Sequence, residues 1–88
     1  MLKDAERKRR VEVFASLASE ARLRIVEMLV EGTLECQEIQ GEIELSQPAV
    51  SYHLAKLERA GVVVKEKRGT RNCYHLSSDL GFLVTMLK

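Results

Sequence analysis

Between Leu45 and Val64, side chains able to hydrogen-bond or to neutralise charge recur on one side of a would-be helix, Ser51, Tyr52, Lys56 and Arg59, with the small Ala55 among them. Hydroxyls reach base edges or phosphate oxygens, a small residue permits close approach, and cations suit a phosphate backbone. That side holds no carboxylate, since Glu58 lies off its edge. A second polar and cationic group follows a few residues on, where Lys67, Arg68, Thr70 and Arg71 surround Gly69. Such a cluster suits phosphate neutralisation or entry into a minor groove. The chemistry available to both sets is recognition of a nucleic acid.

The other reactive residues are sparse. A tight metal ion needs three or four ligands at fixed distances, whereas Cys36, Cys73, His53 and His75 fall on three different elements with divergent directions, so neither a metal site nor a bound cofactor is expected. Cys36 shares an inward stripe with Ile39 and Ile43 and reads as a small core residue. Cys73 alternates with Tyr74 and is expected on the outer face of a hairpin, beside lysine and arginine side chains that would lower its pKa. The two thiols are not expected to pair. His53 falls at the edge of a buried stripe, where it either satisfies a carbonyl or touches DNA; Tyr52, squarely on the open side, is the better contact. No Cys/His or Ser/His pair stands at a motif spacing with an orienting acid, and there is no glycine-rich phosphate loop, so catalysis is not expected.

The elements that must position these residues follow from periodicity and capping. Ser46 suits an N-cap, and Pro48 sits where a missing N–H is tolerated. Val50, Leu54 and Leu57 then form one buried stripe at about 100° per residue. Ser46, Gln47 and Pro48 thus join the exposed set at the start of the helix, and Gly61 stops it. Val62–Lys67 and Asn72–Leu76 read as strands around the turn Arg68-Gly69-Thr70-Arg71. Strict alternation puts Val62, Val64, Tyr74 and Leu76 on one core face. Upstream, Asp4–Ala18 suits a first helix with Val11, Phe14, Leu17 and Ala18 as its apolar stripe. The run Arg7-Lys8-Arg9-Arg10 reads as a solvated face with an accessory phosphate role open to it. Ser19 caps a second, core helix that ends near Gly32, and Thr33 caps a short third. Ser77 or Ser78 caps a last segment in which Leu80, Phe82, Leu83, Met86 and Leu87 are too apolar for a free tail.

The segments LASEARLRIVEMLVEG, LSQPAVSYHLAKLERAGVV and KEKRGTRNCYHL resemble the ArsR/SmtB family of winged helix-turn-helix regulators over most of the chain. The resemblance implies a mainly α fold with a small β-hairpin: four helices, a two-stranded wing and a short C-terminal helix. It also implies a homodimeric regulator that binds a dyad-symmetric operator and releases it on meeting an inducer, often a metal ion. Here the residues depart from the family. One family metal site uses a Cys-x-Cys pair at the start of the third helix, and the matching positions are Glu35 and Gln37, with Cys36 between them. Another uses Asp and His ligands near the C-terminus, where this chain has only Asp79. The family often has a histidine where Tyr52 stands.

Composition agrees with one small domain over residues 1–88, which would gain stability by dimerising. The formal net charge of +1 argues at first against a nucleic-acid partner. The charge is segregated, however: Glu31–Glu44 holds five Glu and no Lys or Arg, while Leu45–Leu76 holds six Lys or Arg against two Glu. No apolar run approaches a membrane span and no signal peptide is read at the start, so a cytoplasmic protein with reduced thiols is expected. The partners expected are double-stranded DNA and a second copy, the latter through Val11, Phe14, Leu80, Phe82, Leu83, Met86 and Leu87. The competing reading is a winged-helix protein-interaction module, which would have no need for cations to converge on one ridge.

Overall fold

A computed structural model describes residues 1–87. Five helices and three strands follow in the order α1 Asp4–Ser16, α2 Glu20–Val30, β1 Leu34–Glu35, α3 Cys36–Glu42, α4 Gln47–Arg59, β2 Val63–Arg68, β3 Arg71–Leu76 and α5 Gly81–Leu87. This is the winged helix-turn-helix expected: α3 and α4 make the helix-turn-helix, and the β2–β3 hairpin is the wing.

Burial organises the helices around α2, whose Ile25, Val26 and Leu29 are all buried. Ser19 caps it by accepting from the Arg22 amide at 3.3 Å. Val50, Leu54 and Leu57 form the buried stripe of α4, and Ile39 of α3 joins the same core. Ser46 accepts from the Ala49 amide at 3.2 Å and so ties down one of the free donors at the start of α4.

The wing departs from simple alternation. Gly61 has φ +74°; its amide donates to the Glu58 carbonyl at 3.0 Å and that of Val62 to Leu57 at 2.9 Å, the paired bonds of a Schellman closure. Val62 is therefore still spent on ending α4, and the strand alternation begins one residue later than expected. Of the four residues expected on the core face, Val62 and Tyr74 are buried and Leu76 packs against the core, and the one-residue slip in β2 turns only Val64 outward. Val63, opposite Leu76, points inward, and Val64 is 41% exposed. At the tip, only Gly69 takes a positive φ, +64°, which matches the first central position of a two-residue II′ turn.

The strand β1 was not expected. Leu34 and Glu35 pair with Tyr74 and Cys73, giving the sheet order β1-β3-β2. Extended pairing here delays α3, which is capped at Glu35 and not at Thr33, with the Glu38 carboxylate reaching back to the Glu35 amide at 2.9 Å. The extra strand also makes β3 central, so Cys73 is buried together with Tyr74 and does not face out beside cations. Its register partners are Glu35 and Glu66.

Two further expectations need correction. The inward face of α1 runs through Arg9 and Val13, four residues apart; Val13 is fully buried while Val11 and Phe14 are exposed. Neither Ser77 nor Ser78 is seen capping α5, which opens with the Val84 amide on the Leu80 carbonyl at 3.0 Å. The Ser77 hydroxyl instead donates to the Gly61 carbonyl at 2.6 Å.

Candidate nucleic-acid interface

The exposed side of α4 follows directly from its buried one. With Val50, Leu54 and Leu57 turned inward, Ser46, Gln47, Pro48, Ser51, Tyr52, Ala55, Lys56 and Arg59 are all exposed. No acidic residue stands in the first turn, and Lys56 and Arg59 stand in the last. The Lys56 ammonium lies 5.5 Å from the centre of the Tyr52 ring, close enough for a cation–π contact.

Across from this side stands the wing, with Lys67, Arg68, Thr70 and Arg71 exposed. Between them runs an open groove of about 600 Å³, lined by Gln47, Ser51 and Ala55 from α4 and by Lys65, Thr70 and Arg71 from the wing. Its lining carries as many carboxylates as cations, Lys65 and Arg71 being its cations. Glu35 and Glu58 also line it, and the Glu35 carboxylate accepts from Arg71 Nη1 at 2.9 Å. Arg68 Nη2 likewise donates to Glu66 at 3.1 Å. The two wing arginines are thus paired within the chain, which their spacing in sequence did not reveal.

His53 is the one expected contact that is partly buried. Its partner is not a carbonyl: Arg22 Nη1, on α2, lies 3.1 Å from Nδ1, and Arg22 Nε donates to the Ser16 carbonyl at 2.7 Å. A guanidinium only donates, so Nδ1 accepts and the ring proton sits on Nε2. Burial, then the charges of Arg22 and Lys56, hold the His53 pKa below its ordinary value, which keeps the ring neutral near pH 7. Tyr74, under the groove, stays a neutral phenol: burial pushes its pKa up, with Cys36 and Glu58 adding to the effect.

The contacts of Arg9 and Arg22 with α4 and its end were missed. Both reach α4 from outside the helix-turn-helix, and hydrophobic periodicity does not register a cation on an inward face. The four-residue spacing from Arg9 to the buried Val13 was the available signal. Cys36 is half-buried and Cys73 buried, both as free thiols. Among the described residues, no three His, Cys, Asp or Glu side chains converge as they would around a metal ion. Nor is any described helix long and apolar enough to cross a membrane.

The model of the bacterial regulatory protein arsR family matches residues 19–65, more than half of the chain and all of α2, α3 and α4. The chain belongs to the arsR family. The transcriptional activator HlyU of Vibrio cholerae is 41% identical over 68 residues, 77% of this chain and 63% of that protein. The arsenical resistance operon repressor of Escherichia coli is 38% identical over 71 residues, 80% of this chain and 61% of that protein. The chain thus aligns with about three fifths of the length of these two relatives. The structure of HlyU superposes with a TM-score of 0.87 at 32% identity, covering 97% of this chain and 94% of that one. A homodimeric winged helix-turn-helix DNA-binding domain from Mycobacterium bovis, 24% identical, gives 0.83 over 98% of this chain and 83% of that one and shows the shared fold. The family and these relatives are transcriptional regulators, not enzymes.

Proposed function

We propose that this arsR-family chain is a sequence-specific double-stranded DNA-binding repressor that works as a homodimer on a dyad-symmetric operator. The observation that carries the reading is that Gln47, Ser51 and Ala55 of α4 and Lys65, Thr70 and Arg71 of the wing line one groove, while Tyr52, Lys56 and Arg59 and then Lys67 and Arg68 stand exposed on the same two elements outside it. On this reading α4 lies in the major groove, with Ser51 and Tyr52 at base edges and Lys56 and Arg59 at phosphates, while the wing follows the flanking backbone. His53 offers Nε2–H as a donor. A protein-interaction module has no use for that arrangement.

Assembly as a dimer is supported by what one copy leaves uncovered. Val11 and Met86 are 60% and 65% exposed, and Phe14 is exposed beside Phe82, with the two rings edge-on at 6.1 Å. Leu80 and Leu83 belong to the chain's own core, so the proposed interface narrows to Val11, Phe14, Phe82, Met86 and Leu87. The word homodimeric in the description of the M. bovis domain points the same way. Occupation of an operator suffices to block transcription and needs no surface beyond these two, which favours repression; the E. coli relative is named a repressor, and HlyU an activator.

Footprinting on genomic DNA tests the proposal. The expected result is protection of an imperfect palindrome with half-sites about 34–36 Å apart, or a small multiple of that, and a reporter that rises when the protein is removed. Binding that shows no sequence preference, or a monomer in light scattering at micromolar concentration, overturns it.

A further inference from the structure

We propose that Arg9 of α1 is a positioning residue for DNA reading: it fixes the recognition helix and the wing relative to each other and to the α1/α5 end of the molecule. The inference rests on the DNA-reading proposal above and deepens it.

The geometry is specific. Arg9 Nη1 donates to the Ala60 carbonyl at 2.8 Å and Nη2 to the Gly61 carbonyl at 2.9 Å. Nη2 also faces both oxygens of Asp79 at 3.2 Å, in the turn before α5. One planar group therefore joins three places: α1, the joint where α4 ends and the wing begins, and the entry to α5. The joint is closed tightly around it. Gly61 takes φ +74°, and a Cβ there would lie 3.2 Å from Arg9 Nη1. The Gly61 carbonyl accepts from both Arg9 and Ser77, which uses both of its lone pairs.

The end of a helix leaves carbonyls without partners and carries the negative end of its dipole, so a cation belongs there. In many helices a Lys or Arg of the last turn folds back to fill that role. Here Lys56 and Arg59 stand exposed in that turn, and the Ala60 and Gly61 carbonyls are met from behind by a residue 51 and 52 positions earlier in the chain. That division leaves the helix's own cations, both exposed, free for phosphates.

Hydrophobic contact along Val50, Leu54 and Leu57 holds α4 against the core without direction, so it sets the rotation and slide of the helix only loosely. The Arg9 bonds supply direction. Base readout depends on hydrogen-bond geometry, whereas phosphate attraction tolerates small shifts, so loss of the grip should lower discrimination and leave general DNA affinity in place. Lysine keeps the charge but has no planar fork to span two carbonyls and a carboxylate. Arg9→Lys should therefore fail to substitute, which a purely electrostatic role would not predict.

The experiment compares the full chain with its Arg9→Lys, Arg9→Ala and Asp79→Asn variants on the footprinted operator and on a scrambled duplex, at several salt concentrations. Arg9→Lys and Arg9→Ala should cut the ratio of operator to scrambled affinity by about ten-fold or more, the scale of one lost base contact. Scrambled-duplex affinity should stay within about two-fold and the salt slope should hold. Asp79→Asn, which leaves the carbonyl bonds, should do the same more weakly. Amide exchange gives a readout without DNA: in Arg9→Lys the Gly61 and Val62 amides should exchange about ten-fold faster, with Val50 and Leu54 unchanged. If Arg9→Ala does not fold, Arg9→Lys decides. Wild-type discrimination with unchanged exchange in the lysine variant overturns the inference, as does equal loss of binding to both duplexes. A wild-type protein without operator preference removes the DNA-reading proposal instead, while the exchange experiment still judges the grip.

Discussion

The helix α4 presents Ser51, Tyr52, Ala55, Lys56 and Arg59 from a scaffold tied down along its length: Ser46 at the start, three buried side chains beneath, Arg22 behind His53 and Arg9 at the end. The wing is anchored through β3, where Cys73 and Tyr74 are buried, but Val63 is the single buried residue of β2 and the tip is exposed throughout. Its arginines bond to glutamates at the surface and to nothing deeper. Geometry matters where hydrogen bonds select a base, and a charge attracts a phosphate through small displacements as well. The contrast therefore matches the division of labour proposed for the two parts.

The largest effect should separate core from tip. Leu54→Ala, at a side chain 1% exposed in the core, should lower the unfolding free energy by about 2–5 kcal/mol, while Lys67→Ala should stay within about 0.5 kcal/mol. Denaturant titration measures both, and similar losses would break the comparison.

The two turn glycines sharpen it. Gly61 and Gly69 both adopt positive φ, where an alanine is strained by about 1–2 kcal/mol. Around Gly69 a Cβ would meet nothing within 4 Å, whereas at Gly61 it would press on the Arg9 guanidinium. Gly61→Ala should therefore lower Tm more than Gly69→Ala. Equal shifts would mean that the joint is no tighter than the tip.

Acid should weaken the fold through His53. The His53 pKa is lowered by burial first, then by Arg22 and Lys56, so below about pH 6.5 the unfolded chain takes up a proton that the folded chain resists. Stability at this site is full above pH 6.5 and falls as the pH drops through 6.5 toward the lower folded value. Urea midpoints at pH 7.5 and 5.5 should differ more in the wild type than in His53→Gln; an equal difference in both would show that the Arg22 contact has no such consequence.

What the sequence revealed and what it hid follow the same division. The helices carry their signal locally: Ser46, Pro48 and the Val50/Leu54/Leu57 stripe suffice to place α4 and its open side, and Ser19 places α2. The wing was legible as a hairpin but not in register, because whether Val62 or Val63 opens the alternation depends on how α4 closes at Gly61. β1 has two residues, and only pairing with β3 makes it a strand, so no local pattern announces it; the burial of Cys73 went unread with it. Arg9, Arg22 and Glu35 were likewise invisible, since each acts on a partner more than 30 residues away. Charged residues met in sequence read as solvated, and only the fold shows which of them face inward.

The smallest effect tests whether the wing arginines are held or merely accompanied. Arg71 is 71% exposed and its partner Glu35 27%; for Arg68 and Glu66 the values are 60% and 50%. Pairs this open are worth about 0–1 kcal/mol, so neither Glu35→Gln nor Glu66→Gln should shift the denaturant midpoint by much. Glu35 is the less exposed of the two carboxylates and ties the wing to β1, so its loss should register more than that of Glu66, whose pair lies within one strand. The clearer readout is on DNA. Each substitution removes the negative charge beside a wing arginine and frees that arginine, so affinity for any duplex should rise at low salt, more for Glu35→Gln, whose position lines the groove. The gain should fade above about 0.15 M salt, where the screening length is about 8 Å. A gain confined to the operator would instead place Glu35 in base selection, and a larger gain from Glu66→Gln would reverse the order of the two pairs.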